Sequence, residues 1–481
     1  MSYPQLGLYI GGRWIRDGRG TLPVLDPSTE TIIGRLPLAR PGDLDEALAA
    51  AQKAFLSWRA TPAIDRCRIM TKAVALLRER AEDIARTISL EEGKPLVEAR
   101  AEMARAADLI EFMAHEGTRA YGRVIPARQP GFRQTVLKEP VGVVAAFAAW
   151  NFPAITPARK IGGPLAAGCT CILKASEEVP GTAVELVRAF HDAGVPAGVV
   201  NLVFGNPADI STHLIGSPIV RKVTFTGSVR VGRLIGELAG RAIKPVTLEL
   251  GGHAPTIICE DVDIAATARL AVAAKFRNAG QICVSPTRFL VQQDVYQEFV
   301  ERFTEKARNI RLGPGIDPQS TMGPLANARR IEAMQTLVDD ALVSAATLET
   351  GGRRAGGPGL FWEPTVLTDV PHEAMAMNEE PFGPLAVISP FIRDGDAVLE
   401  ANGLSYGLAS YLFTQDADRQ SALSAGLASG LVGINSFTVG EPETPWGGVK
   451  DSGYGREGGI EGMESYYSVK YISQAPAPRG P

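Results

Sequence analysis

Between Val141 and Gly252 the chain alternates short apolar runs with longer amphipathic ones, and no other feature constrains its fold as much. VGVVAAFAAW, CTCILKAS, GVVNLVFG and KVTFTGS read as strands, whereas the stretches through KIGGPLAAG and VELVRAFHDAG read as helices. Strands that alternate with helices build βαβ units and a mostly parallel sheet, so an α/β fold with a nucleotide-binding layout is expected. Ligands of such sheets sit at the carboxyl ends of the strands.

The flanking regions differ in pattern. From Leu44 to about His115, apolar residues recur at three- and four-residue intervals between Arg and Glu, which predicts helices. Tyr121 to Pro140 changes to short strands and reads as a hairpin-like insert. A second α/β region is expected from about His253 to about Asp451, with strands at VSPTRFLVQ, LASYLFT and GLVGIN and a helix at QEFVERFTEKARNI. RLGPGIDP and TGGRRAGGPG mark surface loops. SVKYISQ reads as a strand, and the final APAPRGP is expected to be disordered.

A chain of 481 residues holds two or three domains. With 45% hydrophobic and 21% charged residues it belongs to the soluble globular class. The net charge of −4 and the lack of a dense Lys/Arg block argue against nucleic acid or an anionic membrane as partner, leaving a small molecule. No apolar run approaches the roughly 18 residues that span a bilayer. The first residues do not pattern as a secretory signal, so a cytoplasmic location is expected.

Five cysteines in so long a chain do not make a disulfide framework. Cys169 and Cys171 form C-x-C with no matching Cys/His pair nearby, so no zinc site is expected.

No G-x-G-x-x-G lies between Val141 and Gly252; the candidate phosphate turn is TFTGSVRVG, with Gly227 and Ser228 after a strand and Gly232 one helical turn on. Plain helix capping competes with phosphate binding there. In LKASEE, Lys174 and Glu177 stand at another strand end, where they suit ribose hydroxyls or form a solvated pair. TLELGGHAP places Glu249 at a strand end before two chain-bending glycines. A carboxylate buried near a thiol there suits a general base.

Cys283 sits in KFRNAGQICVSPTRF, after backbone-permissive and polar residues and before a strand. A cysteine is more often a small buried hydrophobe, but a loop position gives a thiolate the access that attack requires.

WNFP from Trp150, FTGS from Phe225, LELGG from Leu248, RNAGQIC from Arg277, EEPFGP from Glu379 and PWGGVKDSGYGRE from Pro445 appear in one order over nearly the whole chain. In this set the chain resembles the aldehyde dehydrogenase superfamily. The resemblance implies a Rossmann-like cofactor domain (residues 1–121 and 141–252), a second α/β catalytic domain (253–452) and a small β oligomerisation element (122–140 and 453–481), giving a homodimer or homotetramer.

It also implies roles. Cys283 would attack the aldehyde carbon, the Asn151 side chain and the Cys283 amide would hold the oxyanion, and Glu249 would activate the water that hydrolyses the thioester. Trp150, Lys174, Glu177, Gly227, Ser228, Glu380 and Phe382 would line the cofactor site. The charge of Glu177 favours NAD, with NADP as the alternative.

Arg159 and Arg277 resemble the pair that binds the distal carboxylate in succinic and 2-oxoglutaric semialdehyde dehydrogenases, which makes an acidic semialdehyde the expected substrate. A structural ion pair with the protein's own acids is the competing role for these arginines. The loop SFTVGEPETPW departs from that branch and is expected to wall the substrate entrance. Ala149 stands where the family often has proline, which loosens the turn carrying Asn151. His253 after the glycines reads as surface variation. Ser285 stands where some relatives carry a second cysteine, so no disulfide to Cys283 can form.

The competing functions are an aldehyde dehydrogenase for another aliphatic or aromatic aldehyde, a cysteine hydrolase without hydride transfer, a non-catalytic relative and a coenzyme-A-acylating enzyme. None of the five histidines falls in a catalytic-looking motif, which counts against the hydrolase.

Overall fold

Parallel strands covered on both faces are largely apolar, and Val143–Phe147, Thr170–Lys174 and Val200–Val203 are buried at every position. In the computed structural model, which describes residues 3–477, they lie inside an eight-stranded sheet. Its order is Gly453–Tyr454, Val246–Glu249, Val220–Thr226, Val143–Phe147, Thr170–Lys174, Val200–Val203, Leu8–Ile10 and Arg13–Ile15. The five central strands are parallel, and both flanks are antiparallel.

The N-terminal strand Leu8–Ile10 has no sequence reading of its own, because three residues are too few to show a period. The pattern GYGREG at 453–458 does spell G-x-G-x-x-G, but it forms an antiparallel edge on Leu248 and Glu249, not a strand-to-helix turn.

A second sheet of seven strands runs in the order Thr347–Thr350, Thr365–Thr368, Leu385–Phe391, Pro286–Gln292, Ala254–Ile258, Ala409–Phe413, Leu431–Ile434. Only the first of these is antiparallel to its neighbour. The helices Pro41–Trp58, Ala63–Glu79, Ala81–Glu91 and Leu96–Glu116 fill the region expected to be helical.

The insert after Tyr121 forms Arg123–Ile125 and Arg133–Pro140, joined by Tyr467–Gln474 into a three-stranded antiparallel sheet. Residues 459–464, grouped by sequence with that element, form a helix that packs instead against Leu96–Glu116 and Ile155–Ala167. Of the tail APAPRGP, residues 478–481 lie outside the described residues, and 475–477 have no regular structure. No helix among the described residues is long and apolar enough to cross a membrane.

The two large sheets meet where Glu249 ends a strand of the first and Ala254 begins a strand of the second. A Cβ on Gly251 would stand 2.2 Å from a Glu380 carboxylate oxygen, and one on Gly252 would stand 2.7 Å from the Cys283 carbonyl. Only glycine permits this approach. The carboxyl edge of one sheet therefore faces the amino edge of the other, with a cleft between them.

His253 is buried at this junction, contrary to its reading as a surface position. Its Nδ1 lies 2.5 Å from Thr287 Oγ1 and its Nε2 3.1 Å from the Ala376 carbonyl. Burial, and then the charge of Arg288, hold the imidazole well below its ordinary value. The unfolded chain takes up a proton near pH ~6.5 that the folded chain refuses. This residue's contribution to stability is therefore complete above that pH and is lost as pH falls toward the folded value. Between about pH 7.5 and about 5.5 the wild type should lose more Tm than His253→Asn, measured by thermal unfolding at fixed ionic strength. Equal losses would show that His253 does not report the burial seen here.

Candidate active site

Cys283 is carried by an unusual turn. Asn278, Ala279 and Gly280 have φ of 50°, 51° and 72°, a left-handed run that costs about 1–3 kcal/mol for each non-glycine residue. Gly280 cannot be replaced without displacement, since a Cβ there would lie 2.1 Å from the Gly383 carbonyl oxygen. The surroundings hold the turn in place. The Asn278 amide donates to Glu98 at 2.8 Å, and Asn278 Nδ2 donates to the Asn151 carbonyl at 2.9 Å. The fully buried Gln281 side chain donates to the Asn278 carbonyl at 3.1 Å and accepts from the Ala326 amide at 3.0 Å.

Of the five cysteines, four are buried and only Cys283 is partly accessible. Cys169 and Cys171 lie wholly inside, their thiols directed at the carbonyls of Tyr466 and Lys160. Burial pushes the Cys283 thiol up to about 12; Glu380 adds to the shift and Arg159 opposes it.

Asn151 lies close by, on the turn between Phe147 and the helix Ile155–Ala167. Its side-chain amide donates to the Gln281 carbonyl at 3.0 Å, which leaves its second N–H free. The looseness expected from Ala149 is offset by a buried group that has no sequence reading. Lys94 Nζ donates to the Asn151 carbonyl at 2.9 Å and to Glu102 at 2.7 Å, 4.3 Å from the Phe152 ring centroid. Glu102 in turn accepts from the Ala154 amide at 2.7 Å at the start of the helix. The carbonyl of the turn is thus held from the loop before the helix Leu96–Glu116, and its amides from Glu102 on that helix.

Glu249 is 4% exposed, and neither carboxylate oxygen has a hydrogen-bond partner. Burial, and then the charge of Glu457, raise it well above the ordinary carboxylate value. Behind it lies a further group without a sequence reading. Lys160 pairs with Glu457 and donates to Thr224 at 2.8 Å, and Thr224 donates to Glu457 at 2.8 Å. Burial alone would raise Glu457, but the Lys160 charge and hydrogen bond hold it below the usual range.

Cys283, Asn151, Glu249, Arg159 and Arg277 all line one cleft of about 470 Å³. No histidine lines it. Arg159 lies over the Trp446 ring at 4.2 Å, with Nε buried and unpartnered. Arg277 is exposed at the wall, and neither arginine is paired with a carboxylate among the described residues. Phe437, Thr438, Val439, Gly440 and Trp446 of the expected entrance loop form the opposite side.

The dinucleotide candidates gather at the carboxyl edge of the first sheet. Lys174 Nζ lies 2.6 Å from Glu177, whose other oxygen accepts from the Gly205 amide at 3.0 Å. Ser228 caps the helix Val229–Arg241 by accepting from the Val231 amide at 3.4 Å, so the capping reading holds for its side chain. Gly227 has no room for a Cβ, which would stand 2.4 Å from the Phe225 ring. The Trp150 and Phe382 rings meet edge to face at 5.3 Å. Glu380 accepts from the Gly252 amide at 3.0 Å, and burial pushes it up to about 7. The buried Thr226 Oγ1 has no partner, which leaves a hydroxyl for a ligand just before the glycine turn. An exposed helix N-terminus, a carboxylate–lysine pair and an aromatic pair along one edge fit an extended dinucleotide.

The chain belongs to the aldehyde dehydrogenase family, whose model matches residues 14–472. It is an oxidoreductase acting on aldehydes. It is 49% identical, over 97% of both chains, to a putative 4-(hydroxymethyl)benzenesulfonate dehydrogenase of Comamonas testosteroni. It is 40% identical, over 96% of both, to the NADP(+) succinate-semialdehyde dehydrogenase of Escherichia coli. Among solved structures it matches succinate-semialdehyde dehydrogenase from Burkholderia pseudomallei with a TM-score of 0.96 and 39% identity, over 98% of each chain.

Lys94→Met would leave Glu102 buried without its cation and the Asn151 carbonyl with one donor fewer. The expected loss is about 3–5 kcal/mol in urea unfolding, partly recovered by adding Glu102→Gln. A loss under ~1 kcal/mol would show that the pair does not hold the turn.

Proposed function

We propose that this protein oxidises an aldehyde bearing a distal anionic group to the corresponding acid, with NAD(P) as acceptor. The observation that carries this reading is the one cleft in which an accessible thiol, an unpaired buried carboxylate and two unpaired guanidiniums face each other.

Cys283 Sγ adds to the carbonyl carbon as its proton leaves for solvent, so that Glu249 stays free for the later step. The free N–H of Asn151 and the Cys283 amide receive the oxyanion of the thiohemiacetal; such donors typically lower a barrier by ~3 kcal/mol. The dinucleotide, when bound, supplies the hydride acceptor. Glu249 then takes a proton from the water that attacks the Cys283 thioester, a role its raised pKa suits. Lys160 and Glu457 set the field behind Glu249. Lys174 and Glu177 would hold the adenosine ribose, Gly227 and Ser228 the pyrophosphate, and Glu380, Phe382 and Trp150 the nicotinamide end. The Glu177 charge repels a 2′-phosphate and favours NAD.

Arg159 and Arg277 would receive the anion. Succinic and 2-oxoglutaric semialdehydes supply a carboxylate. A second reading, an anionic aromatic aldehyde, is favoured by the apolar wall of Phe152, Ile155, Val284, Phe437, Val439 and Trp446, and by the sulfonate relative. The edge of Tyr467–Gln474, with Val469 72% and Tyr471 54% exposed, supports a homo-oligomer formed through that sheet.

Glu249→Gln should release about one equivalent of NADH in a burst and then turn over 10²–10⁴-fold slower, at roughly the size of a general-base effect. Cys283→Ala should give no burst. Arg159→Gln or Arg277→Gln should lower kcat/KM for short anionic aldehydes such as succinic semialdehyde by about tenfold or more relative to neutral ones. Full steady turnover by Glu249→Gln would refute the hydrolytic role, and an arginine variant with unaltered preference would refute the anion site.

A further inference from the structure

The cleft carries one more guanidinium that the reaction above does not use. The helix Leu96–Glu116 presents Val97, Ala101 and Arg105 to the cavity at four-residue intervals, so that Arg105 lies two turns beyond Val97 along the same wall. Arg105 reaches across to Glu441 on the facing loop. Its two terminal nitrogens engage both carboxylate oxygens, one at 3.1 Å and the other more closely. The Glu441 backbone is anchored by Thr444 Oγ1, which accepts from its amide at 3.0 Å and donates to its carbonyl at 2.9 Å. The Glu441 side chain is 49% exposed, so it can swing into water at little cost. The Arg105 charge also depresses Arg159, although burial has the larger effect there, so the two cations share the field of one cavity.

A guanidinium fork that already holds a carboxylate at the mouth can exchange it for another planar-fitting anion without stranding a charge. The cavity that both this fork and the sulfur line is walled mostly by apolar surface, including Phe152, Phe437 and Trp446. A short semialdehyde has no apolar body to place against them.

We propose that Arg105 determines specificity as a latch. Glu441 holds it across the entrance, and the far anion of a long aldehyde displaces Glu441. Rested on the anionic-aldehyde reading above, this assigns the favoured class as aromatic aldehydes with a carboxylate or sulfonate opposite the formyl group. Arg159 and Arg277 receive the anion of shorter substrates.

The test compares kcat/KM for 4-formylbenzoate, 4-formylbenzenesulfonate, succinic semialdehyde and benzaldehyde in wild type, Arg105→Gln, Arg105→Lys and Glu441→Gln. Arg105→Gln should lower the ratio of the para-anionic aldehydes to benzaldehyde by about tenfold or more through KM, with Arg105→Lys intermediate. Glu441→Gln should raise the same ratio, because the competitor is gone. The carboxylate and sulfonate arms tell which anion the fork prefers.

The latch is overturned if Arg105→Gln leaves the ratio unaltered, or if Glu441→Gln lowers it as Arg105→Gln does, which would make the pair a strut. If the wild type prefers neither succinic semialdehyde nor the para-anionic aldehydes over benzaldehyde, the anionic-aldehyde reading itself fails along with the latch. If it prefers them but the Arg105 variants match the wild type, only the latch fails.

Discussion

Everything in the cleft depends on a backbone contact between two sheets, the approach of Gly252 to the Cys283 carbonyl. The chain leaves the first sheet at Glu249, turns through two glycines and enters the second at Ala254, so that only four residues separate the end of one sheet from the start of the other. Side chains at Gly251 or Gly252 would collide with Glu380 or with the cysteine turn. Because both contacts are close, Glu249 and the Cys283 sulfur are placed by backbone geometry and not by side-chain flexibility.

The second determinant is desolvation. Burial raises Cys283, Glu249 and Glu380 together, so each holds its proton more tightly than it would in water. A site that holds back negative charge in this way suits a reaction whose negative charge appears only when an aldehyde arrives. Arg159 works against the trend, lowering both Cys283 and Glu249, and it is held in place by the face of Trp446. The same residue thereby biases the thiol while its own charge stays unpaired by any carboxylate among the described residues. The cost of burying so many ionisable groups is met by tight pairing elsewhere, as in Lys160 with Glu457 and Lys94 with Glu102.

How much of this was legible in the sequence follows from how local each signal is. The βαβ alternation, the hairpin insert and the final strand are periodic over neighbouring residues, so they could be read directly. Cys283 stood out by its loop position and Glu249 by its strand end, Asn151 was named only by the resemblance to the family, and their convergence is seen only in the fold. Lys94, Lys160, Glu457 and Arg105 gave no signal, since a charged side chain reads as solvated until an opposite charge that faces it is known: Glu457 lies 297 positions from Lys160, and Glu441 lies 336 from Arg105. His253 was misread for the same reason, its partners being Thr287 and Ala376.

The central claim is that, of five thiols, Cys283 alone is open to a carbonyl carbon in this cleft. Brief treatment of the folded protein with iodoacetamide, followed by mass spectrometry of its peptides, tests it most directly. The account predicts that the Cys283 peptide is alkylated first, that an aldehyde substrate slows this, and that Cys67, Cys169, Cys171 and Cys259 stay unmodified until the chain unfolds. Labelling of any of those four ahead of Cys283, or labelling of Cys283 at a rate indifferent to the aldehyde, would contradict it.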